Sequence, residues 1–353
     1  VDYGLTGVAN NRLPVEVSTG AGNAAPIATV KTKYDNIGNV TEVDGPLSGT
    51  GDTTKYVYDA ARRRLGGIGP DPDSGGSLLN RAMRYNYDGH GWVSSVERGT
   101  ASGGTWANFS ALETLNVAYD GAGRHVQQSF VAAGSTHAVT QYSYDSASRL
   151  DCTAVRMNPS EFGSLPASAC TLDTEGSNGP DRITRYAYDT ADRVVRVTSA
   201  YATSAQQDTL TQTYSQNGQV ATLLDANGNM TTYEYDGFDR TRKIRFPNTS
   251  GGGSSTTDYE QYTYDANSNV TQDRLRDGAT ITYAYDNLNR ATTMTPSTGS
   301  VVSYAYDNFS RMTQAAFTGH TLTFGYDQLS RNTSAGGPLG TVSYQYDAAG
   351  RRT

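Results

Sequence analysis

Short runs of alternating hydrophobic and polar residues follow one another along the chain, and each run ends at a cluster of Gly, Asn, Asp or Ser. The stretch Tyr283–Arg290 reads YAYDNLNR, and Tyr304–Arg311 reads YAYDNFSR. Two aromatic residues placed two positions apart lie on the same face of a β-strand. The polar residues after them are typical of turns. The pattern therefore predicts a strand, a tight turn and a returning strand in each copy.

The turn is specified by the residues that follow the second Tyr, which we number 0. Asp at +1 is typical of the first turn position, because its side chain can accept hydrogen bonds from the backbone two residues on. Gly, Asn or Asp stands at +4 in eight copies, and these types tolerate a positive φ best. A type I turn with a left-handed residue and a bulge is therefore predicted. Ser or Arg at +4 in five other copies fits this conformation less well.

In this register Asp at +1 faces the residue at +5, which is Arg in nine copies, while Tyr faces the mostly apolar residue at +6. Thirteen copies occur, including a degenerate one at Tyr214. We interpret the repeated residues as structural. They are Tyr34, Asp35, Tyr58, Asp59, Arg63, Tyr87, Asp88, Tyr119, Asp120, Arg124, Tyr144, Asp145, Arg149, Tyr188, Asp189, Arg193, Tyr235, Asp236, Arg240, Tyr264, Asp265, Tyr285, Asp286, Arg290, Tyr306, Asp307, Arg311, Tyr326, Asp327, Arg331, Tyr346, Asp347 and Arg351.

The predicted fold class is all-β, with repeated antiparallel hairpins in one continuous, spiralling sheet. So many strands side by side must twist, curl or close, and a strip that coils widely leaves a wet hollow. We expect Tyr to suit that inner face, since its hydroxyl can reach water or a partner. We treat 1–353 as a single array of about thirteen repeats, with an insertion at 151–182. A short helix capped by Asn108 or Ser110 and ending near Leu115 is also predicted.

Composition narrows the function. The chain has 36% hydrophobic residues, 38 Gly and 25 Tyr, which is unlike a helical protein. Its net charge of -7 argues against a nucleic-acid or anionic-membrane partner. No apolar run is long enough to span a bilayer. The first residues lack Met and the last ones stop partway through another copy of the motif, so we expect a piece of a longer protein.

The repeat resembles that of RHS/YD-repeat proteins, which has the form YxYDxxGR followed by an apolar residue, and the resemblance covers essentially the whole chain. It implies a β-hairpin strip that spirals into a hollow shell, as in bacterial polymorphic toxins and toxin-complex components whose shell encloses a C-terminal toxin. Teneurins, which have a similar repeat, are adhesion proteins. The core region that plugs such shells and releases the cargo is not found here, so neither autoproteolysis nor toxin activity is assigned. The segment 71–76 resembles part of that core only superficially and is interpreted as a loop.

We expect no catalytic, cofactor or metal site. A carboxylate that recurs in every hairpin is structural, whereas catalysis needs two carboxylates in different environments. His90, His125, His137 and His320 lack the spacing of metal ligands or of a catalytic base. The segments that begin at Asp225 and Asp265 resemble the start of a calcium loop, but both lack Gly at the sixth position and Glu at the twelfth.

Cys152 and Cys170 are the only cysteines and flank part of the insertion. If the protein is secreted, as the resemblance implies, a disulfide is favoured, and two free thiols are the alternative.

The first functional hypothesis is a non-enzymatic shell segment of a large secreted or surface-bound bacterial protein, with a C-terminal toxin polypeptide or neighbouring repeats as partner. The second is adhesion, in which loops at 100–118 and 151–182 bind a glycan or receptor. The third is an extracellular filament, which exposed edge strands would build end to end.

Overall fold

The structure is a computed structural model that describes residues 2–3, 13–19, 28–49, 51–73, 75–249, 251–347 and 350–353. The described chain contains strands and three short 3-10 helices at Ser102–Gly104, Trp106–Asn108 and Pro159–Glu161. No helix in these described ranges is long and apolar enough to cross a membrane. The chain divides into two compact units, one of residues 1–143, 153–182 and 345–353, and the other of residues 144–152 and 183–344. The predicted single array is not tested by this division and stays a prediction.

The first strands form an antiparallel meander in which each strand pairs with the next one along the chain, from β1 to β11. Their bounds, with those of β12, are β1 Asp2–Tyr3, β2 Pro14–Thr19, β3 Ala28–Tyr34, β4 Val40–Asp44, β5 Thr54–Tyr58, β6 Arg64–Ile68, β7 Asn80–Tyr87, β8 Val93–Ala101, β9 Phe109–Tyr119, β10 His125–Ala132, β11 Ser135–Tyr144 and β12 Leu150–Arg156.

The remaining strands repeat the same arrangement, with consecutive antiparallel pairs from β13 to β27. Their bounds are β13 Arg182–Tyr188, β14 Val194–Ser199, β15 Gln207–Tyr214, β16 Val220–Asp225, β17 Met230–Tyr235, β18 Thr241–Pro247, β19 Ser254–Tyr264, β20 Val270–Arg274, β21 Thr280–Tyr285, β22 Ala291–Pro296, β23 Val302–Tyr306, β24 Met312–Phe317, β25 His320–Tyr326, β26 Asn332–Gly337 and β27 Gly340–Ser343. The predicted fold class, an all-β chain of repeated antiparallel hairpins, is confirmed.

The predicted hairpin register is also confirmed. Tyr at position 0 lies opposite the residue at +6, as in Tyr285 with Ala291, and the register shifts by one residue just before each such Tyr. That shift is the bulge that accompanies a type I turn followed by a left-handed residue.

The helix predicted between Asn108 and Leu115 is wrong. Residues Phe109–Tyr119 form β9, which pairs with β8 on one side and β10 on the other. Hydrogen bonds to two neighbouring strands outweigh a local cap signal, because intrinsic propensity is only a weak preference. The connection between β8 and β9 therefore shrinks to residues 102–108, which hold the first two 3-10 helices.

Few side chains are fully buried in the described part of the chain. In the first unit a small cluster of Ile68, Ala82 and Ala101 packs against Trp106 and Phe109. Most strand residues are only half-buried. A sheet with so small a core depends on contacts between neighbouring strands for its stability.

Candidate functional site

The YD turn is built around one carboxylate, and the copy at Asp286 shows its geometry. Its Oδ1 accepts hydrogen bonds from the backbone N–H of Leu288 at 2.9 Å and of Arg290 at 3.0 Å. Its Oδ2 accepts from the Arg290 Nε at 2.7 Å. The Asp286 N–H donates to the Arg290 carbonyl, and its own carbonyl accepts from the Asn289 N–H. Both carboxylate oxygens are thus used inside the turn.

The structure brings the Asp and Arg of the motif together in all nine copies that carry both. The nitrogen–oxygen distances are 2.6 to 2.7 Å in the pairs Asp59–Arg63, Asp120–Arg124, Asp145–Arg149, Asp189–Arg193, Asp236–Arg240, Asp286–Arg290, Asp307–Arg311, Asp327–Arg331 and Asp347–Arg351. Asn39 and Asn269 take the place of Arg in two other copies and donate to the same carboxylate oxygen. Trp92 keeps the two hydrogen bonds that its backbone makes with Asp88, one donated by its N–H and one accepted by its carbonyl.

The residue at +4 has a positive φ in all thirteen copies. The prediction therefore holds even where the residue type fits poorly, as at Arg62, with φ 65°, and at Ser310, with φ 61°. The hydrogen bonds of the Asp and Arg on either side hold the backbone in this conformation, which residues other than Gly, Asn and Asp rarely adopt.

The Arg side chains lower the pKa of the Asp carboxyl in the turn. At Asp189 and Asp286, hydrogen bonds first from the arginine side chain and then from its backbone N–H lower the pKa of the carboxyl below its ordinary value. The carboxylates therefore stay ionised and paired at neutral pH. This electrostatic pattern stabilises a turn, and it differs from an acid/base pair, in which one carboxyl must be kept protonated.

In the nine copies named below, the Tyr hydroxyl connects its hairpin to the one before it, because it donates to the backbone carbonyl of the earlier copy's +6 residue. The pairs, with distances of 2.6 to 3.1 Å, are Tyr87–Arg64, Tyr119–Val93, Tyr188–Leu150, Tyr214–Val194, Tyr235–Val220, Tyr264–Thr241, Tyr285–Val270, Tyr306–Ala291 and Tyr326–Met312. The expectation that these hydroxyls reach water or a partner is corrected: the neighbouring hairpin supplies the acceptor, since it lies one strand away.

Arginine makes a second connection in the opposite direction, towards the following copy. The Arg290 guanidinium lies 4.7 Å from the ring centre of Tyr306 and donates to the Asp307 carbonyl at 3.2 Å. Arg311 contacts Tyr326 and the Asp327 carbonyl in the same way. Cation–π contacts and hydrogen bonds between copies thus add to the strand pairing.

Serine at +4 has a role that the single-copy motif did not reveal. Ser268, Ser310 and Ser330 each accept a hydrogen bond from the Arg at +5 of the preceding copy, at 3.1 to 3.4 Å. Asp192 accepts from Arg149 in the same geometry. The signal was present in the sequence, since each of these residues follows a copy that carries Arg, but it is visible only when adjacent copies are compared.

The two segments that resemble a calcium loop are turns of the same kind. The Asp225 carboxylate accepts from the N–H groups of Asn227 and Asn229 and from the Asn229 side chain, and Gly228 has φ 79°. Asp265 makes the equivalent bonds with Asn267 and Asn269. The turn at Asp225 was missed as a member of the series because Leu224 stands where the Tyr would be.

The histidines lie apart from one another and make local contacts. His90 stacks on Trp92, and His125 packs against Tyr142. His137 bonds the Ala132 carbonyl, and His320 packs against Phe317. Each ring thus contacts a neighbouring aromatic side chain or a backbone carbonyl.

The insertion at 151–182 contains a buried ion pair that the sequence did not reveal. Arg156 is 3% exposed and Asp181 is 4% exposed. The Arg156 guanidinium donates to Asp181, to the Gln141 side chain and to the carbonyls of Ser168 and Thr171.

The Asp181 carboxylate is satisfied from several sides. Burial opposes its ionisation, but hydrogen bonds from the backbone N–H groups of Met157 and Asp173 and from Arg156 outweigh burial and lower its pKa. The buried pair thus connects Met157 near the start of the insertion, Ser168 and Thr171 in its middle and Asp181 at its end.

Cys152 and Cys170, the two cysteines of the insertion, are both disulfide-bonded.

The chain is similar in part to one protein family and to several solved structures. The family model described as Teneurin YD-shell matches residues 172–316. The fold is similar to the Photorhabdus luminescens Tc holotoxin pore, at 15% identity and a TM-score of 0.46, over 94% of this chain and 18% of that one. It is similar to TcdB2-TccC3 without its hypervariable C-terminal region, at 16% identity and a TM-score of 0.46, over 94% of this chain and 21% of that one. The chain thus spans about a fifth of those structures. No curated protein matches it.

Proposed function

We propose that the chain is a shell segment of the RHS/YD-repeat type and that its work is to enclose or shield a polypeptide cargo, namely a toxin or effector encoded C-terminal to it. The observation that carries this proposal is the hairpin-to-hairpin connection through Tyr and Arg. In this connection the Tyr hydroxyls, the Asp carboxylates and the Arg guanidiniums of the motif all bond within the sheet. The motif therefore offers no acid/base pair for catalysis. The protein would have a structural role, as part of a shell, and would not be an enzyme.

The hydrogen bonds between hairpins suit a shell, because they recur from copy to copy and do not need a large hydrophobic core. Tyr264, Tyr285 and Tyr306 each bond backward to the preceding hairpin, so further hairpins can be added without new chemistry. A sheet built in this way can extend far enough to surround another chain. We place the protein outside the bacterial cell or on its surface, where a shielded effector would be delivered.

Protection of the cargo tests this proposal. The full-length gene product that contains this chain is incubated with a nonspecific protease, natively and after brief exposure to a denaturant, and the fragments are identified by mass spectrometry. We expect the segment C-terminal to the repeats to resist cleavage natively and to be degraded after denaturation. Small-angle scattering should also give the distance distribution of a hollow particle. Equal cleavage in both states would contradict enclosure.

Adhesion is a second candidate, favoured by the rigid insertion. Loops that are held by a structural scaffold are common binding sites, and the buried Arg156–Asp181 pair holds residues 157–181 in place. Deleting 158–179 should abolish binding to a glycan array or to target cells if the insertion is the contact surface. Enclosure predicts that cargo protection persists in the same variant.

A further inference from the structure

One groove of the first unit lies on the face of the sheet that carries Tyr56. Strand pairing places Gly67, Met83, Arg98 and Glu113 in one row beside this ring. The groove has a volume of about 930 Å³, within the usual range of ligand sites. Its residues come from β5 to β9 and from the segment before β7.

The row differs from its counterparts at one position. Gly67 lies opposite Tyr56, whereas Val96, Ile244 and Met294 lie opposite the corresponding tyrosines of other copies. The larger aliphatic side chain that covers this position in those three copies is therefore absent here.

The groove exposes large apolar side chains. Leu78 is 60% exposed, Leu79 is 47% exposed and Leu112 is 64% exposed, and Met83 lines the same groove. Isolated exposed leucines are common on protein surfaces, but several in one concave site indicate that something binds there.

The charge of the groove is opposite to that of the chain. Arg64, Arg81 and Arg98 line it against one carboxylate, Glu113, whereas the whole chain has a net charge of -7. Arg98 pairs with Glu113 at 3.1 Å. Arg64 stacks over the Tyr56 ring. Arg81 is exposed, and no carboxylate of the described chain pairs with it. A negatively charged partner would complement this cation.

We propose that this groove binds a polypeptide segment in which leucine-like side chains alternate with carboxylates. The apolar side chains pack against Leu78, Leu79 and Leu112, and a carboxylate pairs with Arg81. The choice of a polypeptide over another amphiphilic anion rests on the proposed function, in which the partner is a protein cargo.

Fluorescence anisotropy with labelled synthetic peptides tests the groove on the purified protein. A short Leu-Glu alternating peptide should bind. A Leu-Lys peptide loses the charge match and a Ser-Glu peptide loses the apolar contacts, so each should bind about tenfold more weakly or worse, which corresponds to about 1.4 kcal/mol.

Variants locate the binding site. Arg81→Glu and Leu112→Ser should each weaken binding of the Leu-Glu peptide about tenfold. Arg182→Glu and Leu288→Ser are matched controls, because both residues are exposed and lie outside the groove, and they should leave binding unchanged. If circular dichroism shows that the Arg81→Glu variant is misfolded, Arg81→Gln replaces it, because Gln removes the positive charge without reversing it.

Three results would overturn the groove proposal. These are equal binding of the Leu-Glu and Leu-Lys peptides, equal binding by groove and control variants, and binding of decanoate in place of any peptide. The shell proposal is tested separately: a protected cargo together with no peptide binding would reject the groove and leave enclosure standing.

Discussion

The regular repeats after Val270 and the insertion at 151–182 reach stability by opposite routes. In the repeats, the Asp–Arg pairs are partly exposed and each contact recurs in copy after copy. In the insertion, a single ion pair is almost completely buried and occurs once. The comparison teaches that the repeats spread their stability over many small contacts, whereas the insertion gathers its polar contacts at one buried ion pair.

The largest expected effect lies in the insertion. Asp181→Asn leaves the Arg156 charge buried without a counter-ion, which should lower the free energy of unfolding of this region by about 3–5 kcal/mol. Native-state hydrogen exchange of the amides at 151–182 measures this loss. Asp258→Asn is the matched control, because its partner Arg276 is largely exposed, and we expect a much smaller loss of stability. Equal losses in the two variants would remove the contrast drawn here.

A smaller effect is expected for one contact between repeats. Tyr306→Phe removes the hydroxyl that donates to the Ala291 carbonyl, so we expect a loss of about 1 kcal/mol, read from urea unfolding. Tyr304→Phe is the control on the same strand, since the contact of its hydroxyl within the described chain is a weak one to the Met294 sulfur, at 3.9 Å. If Tyr304→Phe costs as much as Tyr306→Phe, the hydroxyl bond does not connect the hairpins.

The smallest effect on stability for each residue is expected when the turn aspartates are protonated at acidic pH. Hydrogen bonds from arginine hold the pKa of Asp189 and Asp286 below that of an unfolded aspartate, so their contribution is present above about pH 4. It is lost as the pH falls through the lowered pKa of the folded state. The urea midpoint should therefore stay level from neutral pH to about pH 5 and fall below about pH 4.

A variant identifies the groups responsible for the acid effect. Asp286→Asn should be less stable than the native protein at pH 7 and should lose less of its stability on acidification. A midpoint that does not change down to the lowest pH tested would show that the turn carboxylates contribute nothing.

The sequence alone determined the local structure of this protein. The motif of Tyr, Asp and Arg fixed the strand, the turn and the register, because these depend on residues only a few positions apart. It also predicted the left-handed residue at +4, although Arg and Ser, which stand there at Arg62 and Ser310, fit this conformation less well. Repetition of one motif made the all-β class predictable in the same way.

The tertiary structure decided everything that depends on the neighbouring strand. The acceptor of each Tyr hydroxyl lies in the preceding hairpin, and the partner of Arg156 lies 25 residues away. Pairing with a strand on each side also explains why the residues predicted to form a helix near Asn108 form β9. Contacts of this kind follow from which strands lie side by side, and no local pattern in the chain specifies them.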